Sequence, residues 1–297
     1  MAMAEIFSKD GTWTFDGDAV RIEPSGDKGV GLLRRTLGEV VVPLEALAGA
    51  SFEPGRKTGR LKLRMREGAC ALTQITGGRL DDVSNPYLLT VGKDLQGAAE
   101  YFVDAVRNAL LLEQVDKGPV DHYLLRGPHV PLTVGAGDGV LTFDGETVRL
   151  EWNWKTDEAK SSGGPQTIAL KDVLAVEWLP AMGLEEGYLR FRTAQSPPAL
   201  RASLDRFAVE VYGFKKDPLM ALAAAAVAAR MPHPHAAEDT APEAPAALEA
   251  AARDAAPAAE DHDVLLRRLR ELGELHRSGI LTEEEFTLAK QAVLKRL

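Results

Sequence analysis

The strongest constraint on this chain is an internal repeat, because both copies of a duplicated sequence are expected to adopt the same fold. Residues 13–23 recur as residues 141–151, and seven of the eleven positions are identical. The same offset relates Arg60–Arg64 to Tyr188–Arg192. Between them a slightly shorter offset, as a small insertion in a loop would cause, relates Leu44 to Leu170 and Pro54 to Pro180. The sequence therefore predicts a tandem duplication followed by a tail.

Length and composition agree with two folded domains. The 297 residues are 45% hydrophobic and 27% charged, which excludes a wholly disordered chain, a collagen and a protein with several membrane spans. The longest apolar run, residues 219–229, is shorter than the ~20 residues of a membrane span. The first residues show no apolar run typical of a signal peptide, and the single cysteine, Cys70, predicts no disulfide. We expect a cytoplasmic protein.

The negative charge is concentrated in one segment. Of the formal net charge of −9, residues 232–262 carry −6, and they consist mostly of Ala, Pro, Glu and Asp. Such a composition buries too little apolar surface to fold, so it predicts a disordered acidic linker. Nucleic acid is not an expected partner, because binding to phosphates needs a net basic surface.

Each copy is predicted to place short strands first and one helix last. Asp16-Gly17 and Asp144-Gly145 predict hairpins with type I′ turns. Alternating apolar residues predict strands at residues 12–15, 19–23, 39–42, 47–52, 60–66 and 87–91, and at residues 140–143, 147–152, 166–170, 174–178, 188–193 and 206–212.

One helix closes each copy. In the first, Asp94 is the predicted N-cap of a helix with an apolar stripe from Leu95 to Leu110. In the second, Asp217 is the predicted N-cap and Pro218 the first helical residue. The predicted fold class is α+β: two small β-barrels or curved sheets, each closed by its helix. This order of elements resembles a pleckstrin-homology-like (PH-like) domain.

The repeat also resembles a bacterial domain family of unknown function that occurs in tandem pairs. The resemblance rests on the T-F-D-G-x-x-V-R-x-E opening, the L-x-x-V/L-x-x-x-F/W-x-P segment and the closing helix. It implies the architecture and brings no activity. The predicted parts are a first repeat at 8–112, an inter-repeat linker at 113–135, a second repeat at 136–231, the acidic linker at 232–262 and a tail at 263–297.

The tail is predicted to be a hairpin of two helices. Ser278-Gly279 ends the first helix, and the capping box Thr282–Glu285 begins the second. Apolar residues on one side of each helix form a candidate assembly face: Leu265, Leu269, Leu272, Phe286, Val293 and Leu297.

The string L-x-x-L-x-x-L-H-x-x-G-I-L-T-E-E-E-F-x-x-A-K resembles the short C-terminal domain called SHOCT, a family generally regarded as an assembly element. A domain below ~40 residues rarely buries a sufficient core alone. We therefore expect a homo-oligomer or a protein partner bound through residues 263–297; a tail that folds back on its own chain is the alternative.

A basic strand distinguishes the first copy from the second. Arg60, Lys62, Arg64 and Arg66 alternate with apolar residues, so they share one face of the strand. A solvated charged face is the ordinary interpretation of such a pattern. The alternative is an anion site for a phospholipid headgroup or an acidic peptide, with only weak attraction to a membrane surface.

We predict no catalytic, cofactor-binding or metal-binding set. Gly29–Gly31 and Gly135–Gly139 do not match nucleotide-binding glycine loops, which follow a strand and open a helix. Cys70 is not predicted to be a nucleophile, because no histidine precedes His122 to activate it. His233 and His235 alone make a poor metal site, and we interpret Trp152, Trp154 and Trp178 as packing residues. We therefore expect a non-enzymatic binding or scaffold protein. The alternatives are an enzyme with an unrecognised site between the repeats and a module that binds anionic lipid or peptide.

Overall fold

The two repeats form the same pair of antiparallel sheets. The computed structural model describes residues 4–182, 186–197, 200–213 and 217–236. In each repeat four consecutive strands make one sheet and the next three make another. The first repeat contains β1 (Ala4–Ser8), β2 (Gly11–Phe15), β3 (Ala19–Pro24), β4 (Val40–Pro43), β5 (Leu47–Glu53), β6 (Thr58–Met65) and β7 (Leu88–Gly92). The second contains β8 (Leu132–Ala136), β9 (Gly139–Phe143), β10 (Thr147–Trp152), β11 (Gln166–Ala169), β12 (Ala175–Leu179), β13 (Gly187–Arg192) and β14 (Ala208–Val211).

Burial along the strands repeats with the sequence. β2 and β9 have the same pattern of buried and half-buried residues, and β3 and β10 also share theirs. The alternation arises because successive side chains of a strand point to opposite faces of the sheet. The tandem duplication predicted from residues 13–23 and 141–151 is therefore present in the packing as well as in the sequence.

The strands within the described ranges form four open sheets and no closed barrel. The small-barrel form of the prediction is therefore wrong. A short 3₁₀ turn, Leu44–Ala46, lies between β4 and β5, and Leu170–Asp172 lies at the same point of the second repeat. These turns redirect the chain, so the last strand of one sheet does not pair with the first strand of the next.

The Asp-Gly hairpins form where the sequence predicts them, but their turns are not of type I′. Asp16 faces Ala19, so Gly17 and Asp18 are the central residues. Gly17 has a φ of 109°, and no described residue other than glycine has a positive φ except Gln114. A type I′ turn needs positive φ at both central residues, whereas glycine at the first central position is typical of type II′. The Asp16 carboxylate accepts hydrogen bonds from the amides of Ala19 and Asp18, which lower the pKa of Asp16.

The described residues contain five α-helices: α1 (Leu32–Leu37), α2 (Ala71–Thr76), α3 (Gln96–Leu112), α4 (Glu158–Ser161) and α5 (Pro218–Ala228). Sequence analysis missed α1, α2 and α4, and also the strands β1 and β8. Helices of four to six residues are too short to show a clear apolar period, and they depend on tertiary packing for stability.

Helix α3 covers the sheets of the first repeat. Its buried face includes Phe102, whose ring centroid lies 6.1 Å from that of Trp13 and 6.4 Å from that of Phe15. The predicted apolar stripe is therefore confirmed. The predicted N-cap is wrong, because Asp94 lies inside a 3₁₀ turn and Leu95 occupies the cap position.

Helix α5 joins the two repeats. It begins at Pro218 with Asp217 at the N-cap position, as predicted, and all residues from Met220 to Ala228 are buried. The helix contacts β8 and β12 of its own repeat and α1 and α2 of the first repeat. A helix that is apolar on every side must be buried on every side. The alanine side chains meet this need and let the neighbouring helices approach closely.

The described parts of both repeats share one hydrophobic core and belong to one compact unit, Met1–Asp239. The inter-repeat segment packs on this unit, since the Val120 amide donates to the Glu67 carbonyl at 2.9 Å and Arg230 donates to the Pro128 carbonyl at 3.3 Å. The predicted domain boundaries stay predictions. Among the described helices, none has the length and apolar character needed to cross a membrane.

A larger side chain in α5 should destabilise both repeats at once. Ala224 is fully buried, so Ala224→Leu should lower the free energy of unfolding by about 1–3 kcal/mol through overpacking. Ala159→Leu, at an exposed position of α4, should change it by less than about 0.5 kcal/mol. Thermal unfolding followed by circular dichroism should show one transition for the repeats. Two transitions, only one of them shifted by Ala224→Leu, would mean that the repeats fold independently.

Candidate functional site

A fully buried ion pair connects the two sheets of the second repeat. Asp138, in the turn between β8 and β9, and Lys160, in α4, are both completely buried, with Nζ 2.5 Å from Oδ2. Asp157 caps α4 by accepting a hydrogen bond from the Ala159 amide, which fixes the helix that carries Lys160. The other carboxylate oxygen of Asp138 accepts the Glu210 amide of β14 at 2.8 Å. The Asp138 side chain thus binds the backbone of a strand in the other sheet.

The first repeat has the same arrangement at the equivalent positions. Asp10 aligns with Asp138 in the duplicated sequence, and Arg34 aligns with Lys160. Arg34 is buried, its guanidinium lies 3.7 Å from the Asp10 carboxylate, and it donates to the Asp10 carbonyl at 3.2 Å. Asp10 also accepts the Thr90 amide of β7 at 3.2 Å. Burial lowers the pKa of Arg34, and the charge of Asp10 opposes this effect.

Sequence analysis missed both ion pairs. Asp10 and Asp138 occupy turns, where an aspartate is ordinary, and their partners are far along the chain. The signal that was available is the duplication itself, since each repeat carries an Asp and a base at matching positions.

The basic strand has a different environment in each repeat. In the first, Arg60 pairs with Asp82 at 2.7 Å, while Arg66 donates to the carbonyls of Glu45 and Gly118. Lys62 and Arg64 are exposed on the outer face of β6. The anion site predicted for Arg60, Lys62, Arg64 and Arg66 stays a prediction. Lys62 and Arg64, which have no carboxylate partner among the described residues, are the ones placed to contact an anion.

The corresponding bases of the second repeat are bound within the protein. Arg190 and Arg192 align with Lys62 and Arg64 of the first repeat. Arg190 is buried and pairs with Asp205 at 2.8 Å, and Arg192 pairs with Glu177 at 2.8 Å. The hydrogen bond to Glu177 raises the pKa of Arg192. The same strand position is therefore an exposed cation in one repeat and an internal ion pair in the other.

Glu210 has the most perturbed carboxyl among the residues described. Burial, the charge of Asp138 and a hydrogen bond to Glu186 raise its pKa to about 7, against the attraction of Lys160. The Tyr212 hydroxyl donates to Glu210 at 3.2 Å, and burial together with the Glu210 charge raises the pKa of Tyr212. This cluster adjoins the Asp138–Lys160 pair, so its charges lie where the two sheets of the second repeat are connected.

The glycine motifs have structural explanations. A Cβ on Gly137 would lie 1.5 Å from the Glu210 carbonyl oxygen, so only glycine fits that turn between β8 and β9. Gly31 is the N-cap residue of α1, which contradicts our expectation that Gly29–Gly31 opens no helix. Its amide donates to the Val83 carbonyl at 3.2 Å, and a Cβ would lie 2.5 Å from that oxygen. Close packing of two loops accounts for this glycine.

The other residues considered in the sequence lie in separate places. Cys70 is buried beside the Tyr87 hydroxyl, 3.1 Å from Sγ. His233 contacts the Gly68 carbonyl and the Tyr123 ring, and the described ranges contain no group of three His, Cys, Asp or Glu residues suited to a metal ion. Of the three tryptophans, Trp152 and Trp178 are packed, while Trp154 is 89% exposed.

A cleft lies between the two repeats beside the interface of α1 and α5. Its volume is about 810 Å³. The first repeat contributes residues 28–32, Arg35 and residues 78–84 except Asp82; the second contributes Trp178, residues 180–182, Val211, Gly213, Asp217 and Pro218. Glu210 does not line this cleft. The sequence analysis anticipated a location between the repeats as an alternative but named no residue there.

The candidate assembly face lies outside the described residues: Leu265, Leu269, Leu272, Phe286, Val293 and Leu297. Its arrangement as a hairpin stays a prediction.

Comparison with known families identifies the class of the chain. The model of the family described as Domain of unknown function (DUF4429) matches residues 13–107 and 141–228, which together exceed half of the chain. The chain therefore belongs to the DUF4429 family and carries two copies of its domain. A second model, the Short C-terminal domain (SHOCT), matches residues 267–294. The resemblances to a tandem domain family of unknown function and to SHOCT are confirmed.

Other comparisons add little. No curated protein sequence matches the chain. Among solved structures, the Spt16D Pob3N heterodimer is similar over 71% of this chain and 95% of that chain, with 13% identity and a TM-score of 0.22. A TM-score this low bears on neither fold nor function.

Removing one partner of the buried pair should be costly. Asp138→Ala leaves Lys160 without its carboxylate, so the free energy of unfolding should fall by about 3–5 kcal/mol. Replacing both, as Asp138→Asn with Lys160→Met, should recover part of this loss, because no uncompensated charge is left buried. Arg21→Gln, which breaks the exposed pair with Glu39, should cost less than about 1 kcal/mol. Urea unfolding measures the loss of stability in all three variants. Equal losses for Asp138→Ala and Arg21→Gln would contradict a structural role for the buried pair in connecting the two sheets.

The raised pKa of Glu210 should make stability depend on pH. Its folded pKa of about 7 lies above the ordinary value of 4.5, so the folded state holds the proton more tightly than the unfolded state. Its contribution is complete below pH 4.5 and is lost as pH rises through 7. Glu210→Gln should flatten this part of the pH profile and exceed the wild type in stability at pH 8. Glu113→Gln, at an exposed position, should leave the slope between pH 5 and 8 unchanged; a wild-type slope that survives Glu210→Gln rules this assignment out.

Proposed function

We propose that this protein is a non-enzymatic binding and scaffold protein that assembles through its C-terminal domain. The observation that carries the proposal is the SHOCT match at residues 267–294, behind a fused pair of repeats. The repeats supply a rigid platform, because α5 packs against both of them. The tail supplies the attachment to a second copy of the chain or to another protein, in the cytoplasm.

The arrangement of elements supports a PH-like class for each repeat. A four-stranded sheet, a three-stranded sheet and a C-terminal helix follow one another in both copies. In this class we propose that the sheets and their loops act as a surface for recognition. Function depends on the site more than on the fold, so the class supports binding in general and names no ligand.

Size is the physical argument for assembly through the tail. The predicted apolar face of residues 263–297 cannot be covered by so short a segment alone. Apolar residues at helical spacing gain about 25 cal/mol for each Å² removed from water. A partner surface is therefore the expected source of stability for this segment.

The enzyme alternative has less support. An active site would be expected where a cleft and strongly perturbed titratable groups coincide. Here the most perturbed carboxyl, Glu210, joins the sheets of the second repeat and does not line the cleft between the repeats. We therefore propose a binding role for the platform as well as for the tail.

The tail should determine the mass of the protein in solution. Leu269→Lys with Leu272→Lys places two charges on the assembly face, so light scattering should show that the full chain changes from an oligomer to a monomer. The matched control, Glu271→Lys with Glu274→Lys, changes residues between the apolar positions and should keep the oligomer.

A monomeric wild type at micromolar concentrations would exclude self-association and leave docking on another protein. An oligomer that persists in the leucine variant would place assembly outside the tail. In both double variants the ellipticity of the repeats should stay unchanged, since none of the four substituted positions belongs to the unit Met1–Asp239.

A further inference from the structure

We propose that the cleft between the repeats binds an amphiphilic anion, a small molecule with an apolar body and a carboxylate or similar anionic head. This site goes beyond the proposed assembly function and does not depend on the tail. Ligand sites are typically clefts of about 300–1,000 Å³ with mostly apolar walls and a few convergent polar groups. The cleft has the required volume, about 810 Å³.

The positive charge of the cleft comes from one repeat only. Its three cations, Lys28, Arg35 and Arg79, all come from the first repeat. The second repeat contributes an almost wholly apolar set before the start of α5: Trp178, Pro180, Ala181, Met182, Val211 and Gly213. The first repeat adds apolar side chains as well, Val30, Leu32, Leu80 and Val83. An amphiphilic molecule matches this lining, with its head at the three cations and its body along the apolar side chains of both repeats.

The three cations are available for a ligand. Among the described residues, the side chains of Lys28, Arg35 and Arg79 have no carboxylate or hydrogen-bond partner. The other arginines around the sheets contrast with them, because Arg34, Arg60, Arg190 and Arg192 all contact carboxylates. Cations near an anionic head also provide charge-assisted hydrogen bonds, which are stronger than neutral ones.

The cleft keeps a net positive charge, because it is lined by three cations and two carboxylates, Asp81 and Asp217. Asp81 accepts the Ser84 amide at 2.8 Å and so holds its own loop. Asp217 occupies the N-cap position of α5, where the positive end of the helix dipole attracts its charge. The loop that carries Arg79 and the residue that begins α1 are tied by the hydrogen bond from Gly31 to Val83. The cationic side of the cleft is therefore held in a defined position.

Trp178 forms part of the apolar wall of the cleft. It lines the cleft and is 5% exposed. Its indole Nε1 is enclosed by the protein and has no hydrogen-bond partner among the described residues. Trp178 therefore contributes apolar ring surface to the site and no hydrogen bond.

The apolar surface at the mouth of the cleft is exposed to solvent. Val83 and Met182 are 51% and 64% exposed although both are large and apolar. A ligand with an alkyl body would cover this surface. A free inorganic anion would contact the cations alone and leave the apolar wall exposed, so the lining of the cleft favours the amphiphile.

Calorimetric titration of the full chain with decanoate tests the proposal directly. We expect saturable binding of decanoate. Decylamine has the same apolar chain and the opposite charge, so it should bind at least about tenfold more weakly. Inorganic phosphate, an anion without an apolar body, should also bind at least about tenfold more weakly. Absence of decanoate binding, or equal affinity for decanoate and decylamine, overturns the proposal.

Matched variants locate the site. Arg35→Gln with Arg79→Gln should weaken decanoate binding by about tenfold or more, as expected for the loss of two charged contacts. Lys93→Gln with Lys117→Gln removes the same charge at exposed positions outside the cleft and should leave the affinity unchanged. If both pairs weaken binding equally, the attraction is a general charge effect and the site is refuted.

The apolar wall and the indole need their own variants. Val83→Glu places a carboxylate in the cleft and should abolish decanoate binding, whereas Val41→Glu, at a similarly exposed position of β4, should not. Trp178→Phe replaces the indole with a smaller ring and so reduces the apolar wall, and decanoate affinity should fall severalfold. Near-ultraviolet circular dichroism confirms that each variant is folded. Unchanged affinity in both Val83→Glu and Trp178→Phe assigns the binding elsewhere and overturns the proposal.

Discussion

The burial of α5 on every side is the constraint on which the arrangement of the repeats depends. Leu222, Val227 and the alanines between them remove a whole helix surface from water, and one repeat alone cannot cover it. Helices α1 and α2 of the first repeat supply the missing cover. This explains why two copies of one fold form a single unit: the closing helix of the first copy, α3, packs on its own sheets, whereas that of the second packs across the junction. The duplication has therefore produced two different roles for the same element.

Inside each repeat, an aspartate connects the two sheets; Asp138 is fully buried and Asp10 is partly buried. An open pair of sheets has no continuous ladder of hydrogen bonds from one to the other, so another connection is needed. Asp10 and Asp138 make it by accepting an amide from β7 or β14, and Arg34 and Lys160 neutralise their charge. Burial of an ion pair need not stabilise a fold, but loss of one partner is severe. The pairs therefore define which strands meet, and their presence in both copies points to a role in the fold and not in catalysis.

How far the sequence predicts this structure depends on the range of the interaction. Strands such as β2, β3 and β6 were predicted because alternation is local, and α3 because its stripe spans several turns. The strands β1 and β8 are mixed in polarity, and the short helices α1 and α2 depend on packing against α5, so the local signal of all four elements is weak. The prediction of the turn type was wrong because the choice between Asp16-Gly17 and Gly17-Asp18 as the central pair of the turn depends on strand register. Asp138 is 22 residues from Lys160 and 72 residues from Glu210 in the sequence, and the cleft is formed by both repeats. The sequence therefore did not identify the residues of either site.

Divergence between the copies then indicates where recognition resides. At the strand positions shared by the repeats, the second copy uses Arg190 and Arg192 in internal ion pairs, whereas the first leaves Lys62 and Arg64 exposed. The cleft shows a related difference, since its cations all belong to the first copy, whereas its apolar wall comes from both. A charge committed to an internal carboxylate cannot also attract a ligand without losing that partner. The first repeat is therefore the one that presents positive charge without a carboxylate partner, and the second adds apolar surface and the helix that joins the repeats.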